Sequence, residues 1–507
     1  MTTRIDDLVT LKNGGRTPLA ALQPLDYPEF AERLVAELEA EGRVVAYFAM
    51  PGEGRLLDLF AVIACDRKGL LRLLRTRVGA SFPSLTPRCS QLHLFEREIA
   101  EQYGVVPEGH PWFKPVRFQR SWTGSDAWGR DPGVRPIPGD MEYYRVEGEE
   151  VHEVAVGPVH AGVIEPGHFR FQCHGEQVMH LEISLGYQHR GLEAQLAGGS
   201  ATAIYQLETV AGDTSIGHAT AYCQLLEGLA GVEPSPRAQA VRALALELER
   251  LANHVGDIGA LAGDVGFLPT SAYCGRLRGE YLNLTAELCG SRFGRGLIRP
   301  GGVAFDLTPD LTTRLSQRLE PVARDTLGAV ELFFDTPSVL GRLEGTGRVS
   351  RSDAQSLGLV GLAARACGLN IDARLNHPAG AYDGVFAKVV VEEDGDVNAR
   401  ANVRRREICH SLEWVKKALR NLPPGELRRD LPALAPESLA VSLVEGWRGE
   451  VVHVALTDRQ GQLVRYKIVD PSFRNWSGLA MAMRGEQISD FPLCNKSFNL
   501  SYCGFDL

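Results

Sequence analysis

Residues Arg237–Ala262 read RAQAVRALALELERLANHVGDIGALA. Leu244, Leu248, Leu251, Val255, Ile258 and Leu261 recur there at steps of three and four, the period of one face of an α-helix. Gly256 and Gly259 interrupt the stretch without breaking its period. A second periodic stretch, Asn402–Arg420, stops at Pro423-Pro424-Gly425, since proline lacks the N–H that a helix needs. By this reading the zone from Gly191 to about Pro424 is mainly helical.

Strands frame that zone on both sides. Val151–Val156, Phe169–Cys173 and Val178–Ile183 have the apolar, partly β-branched character of strands, with a hairpin turn at His174-Gly175-Glu176. Beyond the helices, Glu450–Thr457 and Leu463–Val469 flank Arg459-Gln460-Gly461, a second hairpin. Further upstream, Val44–Met50 and Leu56–Ala64 read as strands and Leu92–Tyr103 as an amphipathic helix. Gly124, Gly129, Pro132, Gly133, Pro136, Pro138 and Gly139 mark residues 116–150 as a linker. The expected fold class is α+β. Residues 1–135 form a small α+β domain with its linker, and residues 136–507 form a larger, mainly helical domain with antiparallel strands at both ends.

A net charge of −9 argues against free nucleic acid as a partner. No apolar run reaches the ~20 residues that cross a bilayer, so work at a membrane would require another subunit to hold the chain there. No secretory leader pattern is legible, and a cytosolic chain is expected. The ten cysteines include no CxxC pair and read as reduced, mostly buried thiols.

Several motifs follow one another in a fixed order. Gly157-Pro158-Val159-His160 precedes Glu165-Pro166-Gly167-His168-Phe169-Arg170 and Gly186-Tyr187-Gln188-His189-Arg190-Gly191-Leu192-Glu193. Leu246-Glu247-Leu248-Glu249-Arg250-Leu251-Ala252-Asn253-His254 comes next, then Ala364-Arg365-Ala366-Cys367-Gly368 with Asp372 and Arg374. This succession resembles the large subunit of formate-hydrogenlyase-type, energy-converting nickel–iron hydrogenases, and the related quinone-site subunit of complex I. Phe95-Glu96-Arg97-Glu98, Tyr103-Gly104 and Glu108-Gly109-His110-Pro111 resemble the small peripheral-arm subunit of complex I, fused ahead of the large one.

The resemblance implies four thiolates for a nickel–iron centre, because soft sulfur donors in two CxxC pairs hold both metals. By alignment to that pattern, the first pair falls on Ala211 and Thr214, and the second on Leu500 and Cys503. At most one thiolate remains, so no nickel–iron centre is expected, and with the chain running only four residues past Cys503 no removable C-terminal tail is evident. The resemblance to complex I implies a quinone held between a loop histidine, with His160 and His168 as candidates, and a tyrosine whose position falls near Gly212. Asp264 matches an acidic residue that supports that histidine.

Each candidate carries a plainer reading beside the functional one. Glu193 is either an acidic residue in the first turn of a helix, favoured by the dipole, or a proton-transfer group on the inner face of the old metal cavity, beside His189. His218 either lines that cavity or satisfies a backbone carbonyl. Asp213 and Thr214 either line a polar pocket with His218, able to hold water, protons or a small ligand, or are filled in structurally. Arg365, Asp372 and Arg374 are either cofactor-binding or an ion-pair network.

What the resemblance implies for function divides in two. In one reading the chain is the large subunit of a peripheral complex on the cytoplasmic side of the cell membrane, an NADH:quinone oxidoreductase-like or hydrogenase-like assembly. Its partners would be an iron–sulfur small subunit with a [4Fe–4S] cluster, a ferredoxin-like subunit, and membrane quinone-channel and antiporter-like subunits. Electrons would pass to quinone or another acceptor, with no cofactor bound by this chain alone. In the other reading it is a non-redox scaffold linking soluble partners to an ion-translocating membrane arm.

Overall fold

The computed structural model describes residues 8–131, 133–199, 203–383 and 389–507; Pro132, one of the linker prolines, lies outside the described residues. The N-terminal region is built on a four-stranded antiparallel sheet. Its strand order is Val9–Leu11, Leu70–Val78, Leu57–Cys65, Arg43–Pro51, and helix Tyr27–Glu39 packs on it. The two strands expected here, Val44–Met50 and Leu56–Ala64, are its Arg43–Pro51 and Leu57–Cys65.

Helix His93–Tyr103 forms where expected and is amphipathic in sequence, but its polar face is buried as well as its apolar one. Every residue from Leu94 to Tyr103 is buried, including Glu96, Arg97, Glu98, Glu101 and Gln102. Its charged side chains face other parts of the chain instead of solvent. Among the described residues the following stretch has no regular elements between Glu108 and Val151, yet it is not a free linker. Arg117 is buried, ion-paired with Glu98, and its Nε donates to the carbonyl of Phe505 at 2.7 Å.

A three-stranded sheet, Gln177–Ser184, His168–His174, Val151–Val156, carries the expected hairpin at Gly175-Glu176. The helical body is organised around Pro236–Asp264, 29 residues long, roughly 44 Å at 1.5 Å per residue. Pro236 occupies its first turn, and Ser235 caps it by accepting the N–H of Ala238. Helices Leu268–Cys289 and Val397–Arg420 pack against it. Its glycines have a steric reason. A Cβ on Gly259 would lie 2.8 Å from Cys274 Cβ, and one on Gly256 would lie 2.7 Å from Arg278 Cδ. The two helices approach too closely there for any side chain.

The C-terminal sheet has the order Leu463–Val469, Glu450–Thr457, Ser438–Glu445, Arg16–Pro18. The second hairpin matches its expected bounds. Ser438–Glu445 went unassigned in the sequence, and its fourth strand comes from the opposite end of the chain, with Thr17 opposite Leu439. The last segment, with helices Phe491–Phe498 and Tyr502–Asp506, is buried as its apolar composition implied.

Candidate functional site

The two segments that carry the thiolate positions meet in space. Arg190 donates to the carbonyls of Thr209, Val210 and Cys503, tying Thr209–Thr214 to the C-terminal segment. Between them lies the guanidinium of Arg448, from the turn that joins Ser438–Glu445 to Glu450–Thr457. It forms a bidentate pair with Asp213 at 2.5 and 2.8 Å, donates to Thr214 Oγ1 at 3.3 Å and reaches the Asn499 carbonyl at 2.5 Å. The Trp447 ring lies 3.9 Å from it. Asp213 is therefore held below the usual carboxylate range, burial notwithstanding, by Arg448. The pocket expected from Asp213, Thr214 and His218 is not open. Asp213 keeps 30% of its side chain exposed, and the sheet turn supplies it a charged partner that occupies the space.

His218, one turn into helix Ser215–Ala230, faces the sheet. Its Nε2 is 3.1 Å from Asp470 Oδ2 and its Nδ1 3.1 Å from His453 Nε2; His453 Nδ1 is 2.7 Å from the Tyr466 hydroxyl. All four side chains are buried. A carboxylate only accepts, so His218 Nε2 carries hydrogen. Where His218 Nδ1 is the acceptor, His453 Nε2 donates, its Nδ1 accepts and Tyr466 donates, so the row then runs one way, Tyr466 to His453 to His218 to Asp470. Burial, with His218 alongside, pushes His453 well below its ordinary value and keeps it neutral. Burial works against ionised Asp470, but the His218 bond and Arg448 hold its pKa low.

Strand Leu463–Val469 places the next cluster by simple alternation. Tyr466 points to the histidines, while Arg465 and Lys467 point the other way. Lys467 Nζ bonds both oxygens of Glu98 (2.7 and 2.6 Å) and Glu193 Oε1 (2.9 Å), and Arg465 reaches Glu193 Oε2 at 3.0 Å. Despite burial, Lys467, Arg465 and Arg117 hold Glu193 far below the usual carboxylate range. Glu98 belongs to the helix read as amphipathic, so this cluster is what that helix buries its charge against. His189 Nδ1 donates to the Asp506 carbonyl, 2.7 Å away. The cavity that His189 and Glu193 line is only about 10 Å³, room for roughly one water.

His160 and His168 sit on the loop before and at the start of strand His168–His174. His160 Nε2 lies 3.2 Å from the Tyr502 hydroxyl; His168 is edge-on to Tyr143 and 3.4 Å from the Gly157 carbonyl. The expected support from Asp264 does not form. Asp264 ends the long helix and pairs with Lys496 at 2.5 Å. The loop histidine does meet a tyrosine, but one from the C-terminal helix, not from the start of helix Ser215–Ala230.

Arg365, Asp372 and Arg374 lie in a separate network around Glu407. Arg365 bonds Glu407 and Glu445 at 2.8 Å each, Arg374 bonds Glu407 at 3.0 Å and Asp372 at 2.6 Å, and His254 bonds Glu407 at 2.7 Å. Three arginines, with Arg250, face four carboxylates, Glu247, Asp372, Glu407 and Glu445. Burial and neighbouring Asp372 push Glu445 up to about 7, so the excess acid keeps its proton near neutrality. These residues bind one another. Arg448, His453, Tyr466, Lys467 and Asp470 were not singled out from the sequence. The strand hairpin was legible, but not which helix each of its faces would meet.

Comparison with known proteins accords with this architecture. The family described as respiratory-chain NADH dehydrogenase, 30 Kd subunit matches residues 31–130. The family described as respiratory-chain NADH dehydrogenase, 49 Kd subunit matches residues 264–438 and 432–506. The chain is 30% identical over 434 residues to formate hydrogenlyase subunit 5 of Escherichia coli K12, covering 83% of this chain and 76% of that protein. It is 30% identical over 487 residues to hydrogenase-4 component G of the same organism, covering 92% and 81%. The C/D-type NADH-quinone oxidoreductase subunit of Bacteroides thetaiotaomicron is 28% identical over 445 residues, covering 82% and 83%. The chain belongs to the superfamily of formate-hydrogenlyase-type hydrogenase large subunits and complex I 49 Kd subunits, with a 30 Kd-type domain fused ahead, and is a subunit of a complex I-like oxidoreductase assembly.

Proposed function

With that membership as the premise, we propose that the chain receives electrons from a [4Fe–4S] cluster in a partner subunit and passes them to quinone or another acceptor, without a nickel–iron centre of its own. The residues at the four thiolate positions do not fit such a centre. Ala211 has no donor atom and Leu500 is buried hydrocarbon. The Thr214 hydroxyl is taken by Asp213 and Arg448. Burial pushes the Cys503 thiol up to about 11, away from the thiolate a metal requires.

The observation that carries the redox reading is the Tyr466–His453–His218–Asp470 row. Reduction of a quinone consumes protons as well as electrons, and a buried chain of hydrogen-bonded donors and acceptors can pass them without opening the interior to water. With His218 neutral, a proton supplied to Tyr466 would shift each proton of the row by one bond and leave Asp470 protonated, beside Arg448. His160, with buried Tyr502 behind it at 3.2 Å, could supply a donor to an acceptor carbonyl. No helix among the described residues is long and apolar enough to cross a membrane. In this reading the chain is a peripheral subunit, held on the cytoplasmic face by membrane quinone-channel and antiporter-like partners. We read residues 1–135 and 136–507 as its two domains, a reading in which the strand Arg16–Pro18 of the first pairs with the sheet of the second.

The second reading, a non-redox scaffold, draws support from the Arg448–Asp213 pair that closes the old metal position. Tagged purification from detergent-solubilised membranes, with every co-purifying subunit identified by mass spectrometry, separates the two. An iron–sulfur small subunit among the partners is expected. Ion-transport subunits without an iron–sulfur partner would leave electrons no route to this chain, and the scaffold reading would replace the redox one.

A further inference from the structure

A cavity of about 310 Å³ lies away from both the histidine row and the Glu193 cluster, where helix His93–Tyr103, hairpin His168–Ser184, helix Pro471–Ala482 and Phe505 meet. That volume is at the lower end of small-molecule sites. Much of its wall is hydrocarbon and aromatic: Trp112, Leu181, Leu185, Trp476, Met481 and Phe505.

Set in that wall is a buried cation that forms no direct ion pair among the described residues, although Glu182 and Glu101 lie near enough to act on its charge. Arg97 spends its Nε and one terminal nitrogen on the carbonyls of Lys114 (2.6 Å) and Pro115 (2.8 Å). Glu182, the one carboxylate lining the cavity, is committed elsewhere. It pairs with Lys114 at 2.6 Å and accepts the Tyr144 N–H at 2.7 Å. Arg484 adds a second positive charge at the exposed rim. Neither arginine forms an ion pair with a carboxylate among the described residues. The local field is legible in the neighbouring histidines: burial and the charge of Arg97 push His93 down to about 3, leaving it neutral. His180 Nε2, also at this cavity, is buried with no hydrogen-bond partner. A buried charge without a partner is costly, and so is an unsatisfied ring nitrogen.

We propose that this cavity binds a small amphipathic anion, an apolar chain or ring carrying a carboxylate or similar acidic head, with the head on Arg97 and the body against Trp112, Trp476 and Phe505. A charged head answers the guanidinium and offers an acceptor to the His180 nitrogen, while the apolar body displaces water from the aromatic wall.

The test uses the purified full chain and 8-anilinonaphthalene-1-sulfonate, an anion with an apolar body. One saturable site is expected, with quenching of tryptophan emission from Trp112 and Trp476. Dodecanoate should displace the probe and dodecyltrimethylammonium should not. Ala480→Phe, which fills the cavity, should abolish binding, and Arg97→Gln should weaken it about tenfold. Because Arg97→Gln removes buried hydrogen bonds and can unfold the domain, Arg484→Gln and Ala480→Phe serve as the independent variants. Absence of a saturable site, binding unchanged in Ala480→Phe, or equal displacement by the cationic detergent would overturn the proposal.

Discussion

The carboxylate of Asp213 and the guanidinium of Arg448 face each other edge to edge, at 2.5 and 2.8 Å, across 235 residues of chain. They lock the start of helix Ser215–Ala230 to the sheet turn. Arg448→Met should therefore lower the free energy of unfolding by about 3 kcal/mol, the lower end for breaking a buried pair, since Asp213 keeps 30% of its side chain exposed. The double variant Arg448→Met with Asp213→Leu should recover most of that loss. Urea titration of the wild type and both variants measures both, and a double variant no better than the single would show that the pair is not a unit.

The histidine row yields a kinetic expectation. His453→Phe removes the middle of the chain and leaves His218 Nδ1 and the Tyr466 hydroxyl unpartnered. Acceptor reduction by the assembled complex should fall at least a hundredfold, the lower end for losing a positioned proton donor, with the iron–sulfur partner still bound. His453→Gln keeps hydrogen-bonding capacity but cannot relay a proton, and should be equally slow. Turnover in the glutamine variant close to wild type would reduce the row to a packing device.

Glu193 predicts an acid limb. Its folded pKa lies below the unfolded value, so its stabilisation is complete above the ordinary carboxylate range and is lost as pH falls through the folded value. Glu193→Gln should cost roughly 3–5 kcal/mol near neutrality by leaving Lys467 and Arg465 short of a counter-charge. The deficit relative to wild type should shrink as pH falls below about 4. Thermal unfolding from pH 2 to 7 reads this directly.

Asp506 has the opposite sign. Burial raises its carboxyl from 3.8 to about 6, although Gly186 and Gln188 N–H groups bond it. The folded state holds that proton more tightly than the unfolded one. Its contribution is therefore full below the ordinary value and lost as pH rises through about 6. Asp506→Asn should flatten the stability slope between those limits, a change of about 2–3 kcal/mol over the window. An unaltered slope would mean that another group titrates there.

Gly259→Ala tests the helix contact. The added methyl would meet Cys274 Cβ at 2.8 Å, so helices Pro236–Asp264 and Leu268–Cys289 must separate. A loss of about 1–3 kcal/mol is expected, against a normal gain for glycine to alanine inside a helix. The sign alone decides the matter in a denaturant titration.

How much of this was legible follows from the range of each interaction. The long helix was, because its period is local, and so were the hairpins, because their turns are short. Helix His93–Tyr103 was placed correctly but misread as half-solvated, since Glu98 finds Lys467 only 369 residues later. His218 was singled out by its motif, while its partners His453 and Asp470 lie 235 and 252 residues away on a sheet whose facing no local pattern reveals. Ala211, Thr214, Leu500 and Cys503, the positions where the resemblance puts thiolates, were readable one by one. The arginine that lies between those segments was not, because Trp447-Arg448-Gly449 looks like any other turn.

The pairing of Thr17 with Leu439 has a consequence for how the chain is made. A ribosome releases the first of these segments long before the second exists. The small sheet can close early, but Arg16–Pro18 must wait, its backbone donors and acceptors served by water, until Ser438–Glu445 has emerged. A strand synthesised late thus determines when an early one comes to rest. Splitting the chain into two separately produced polypeptides would turn that fold-completing step into a bimolecular one, dependent on concentration.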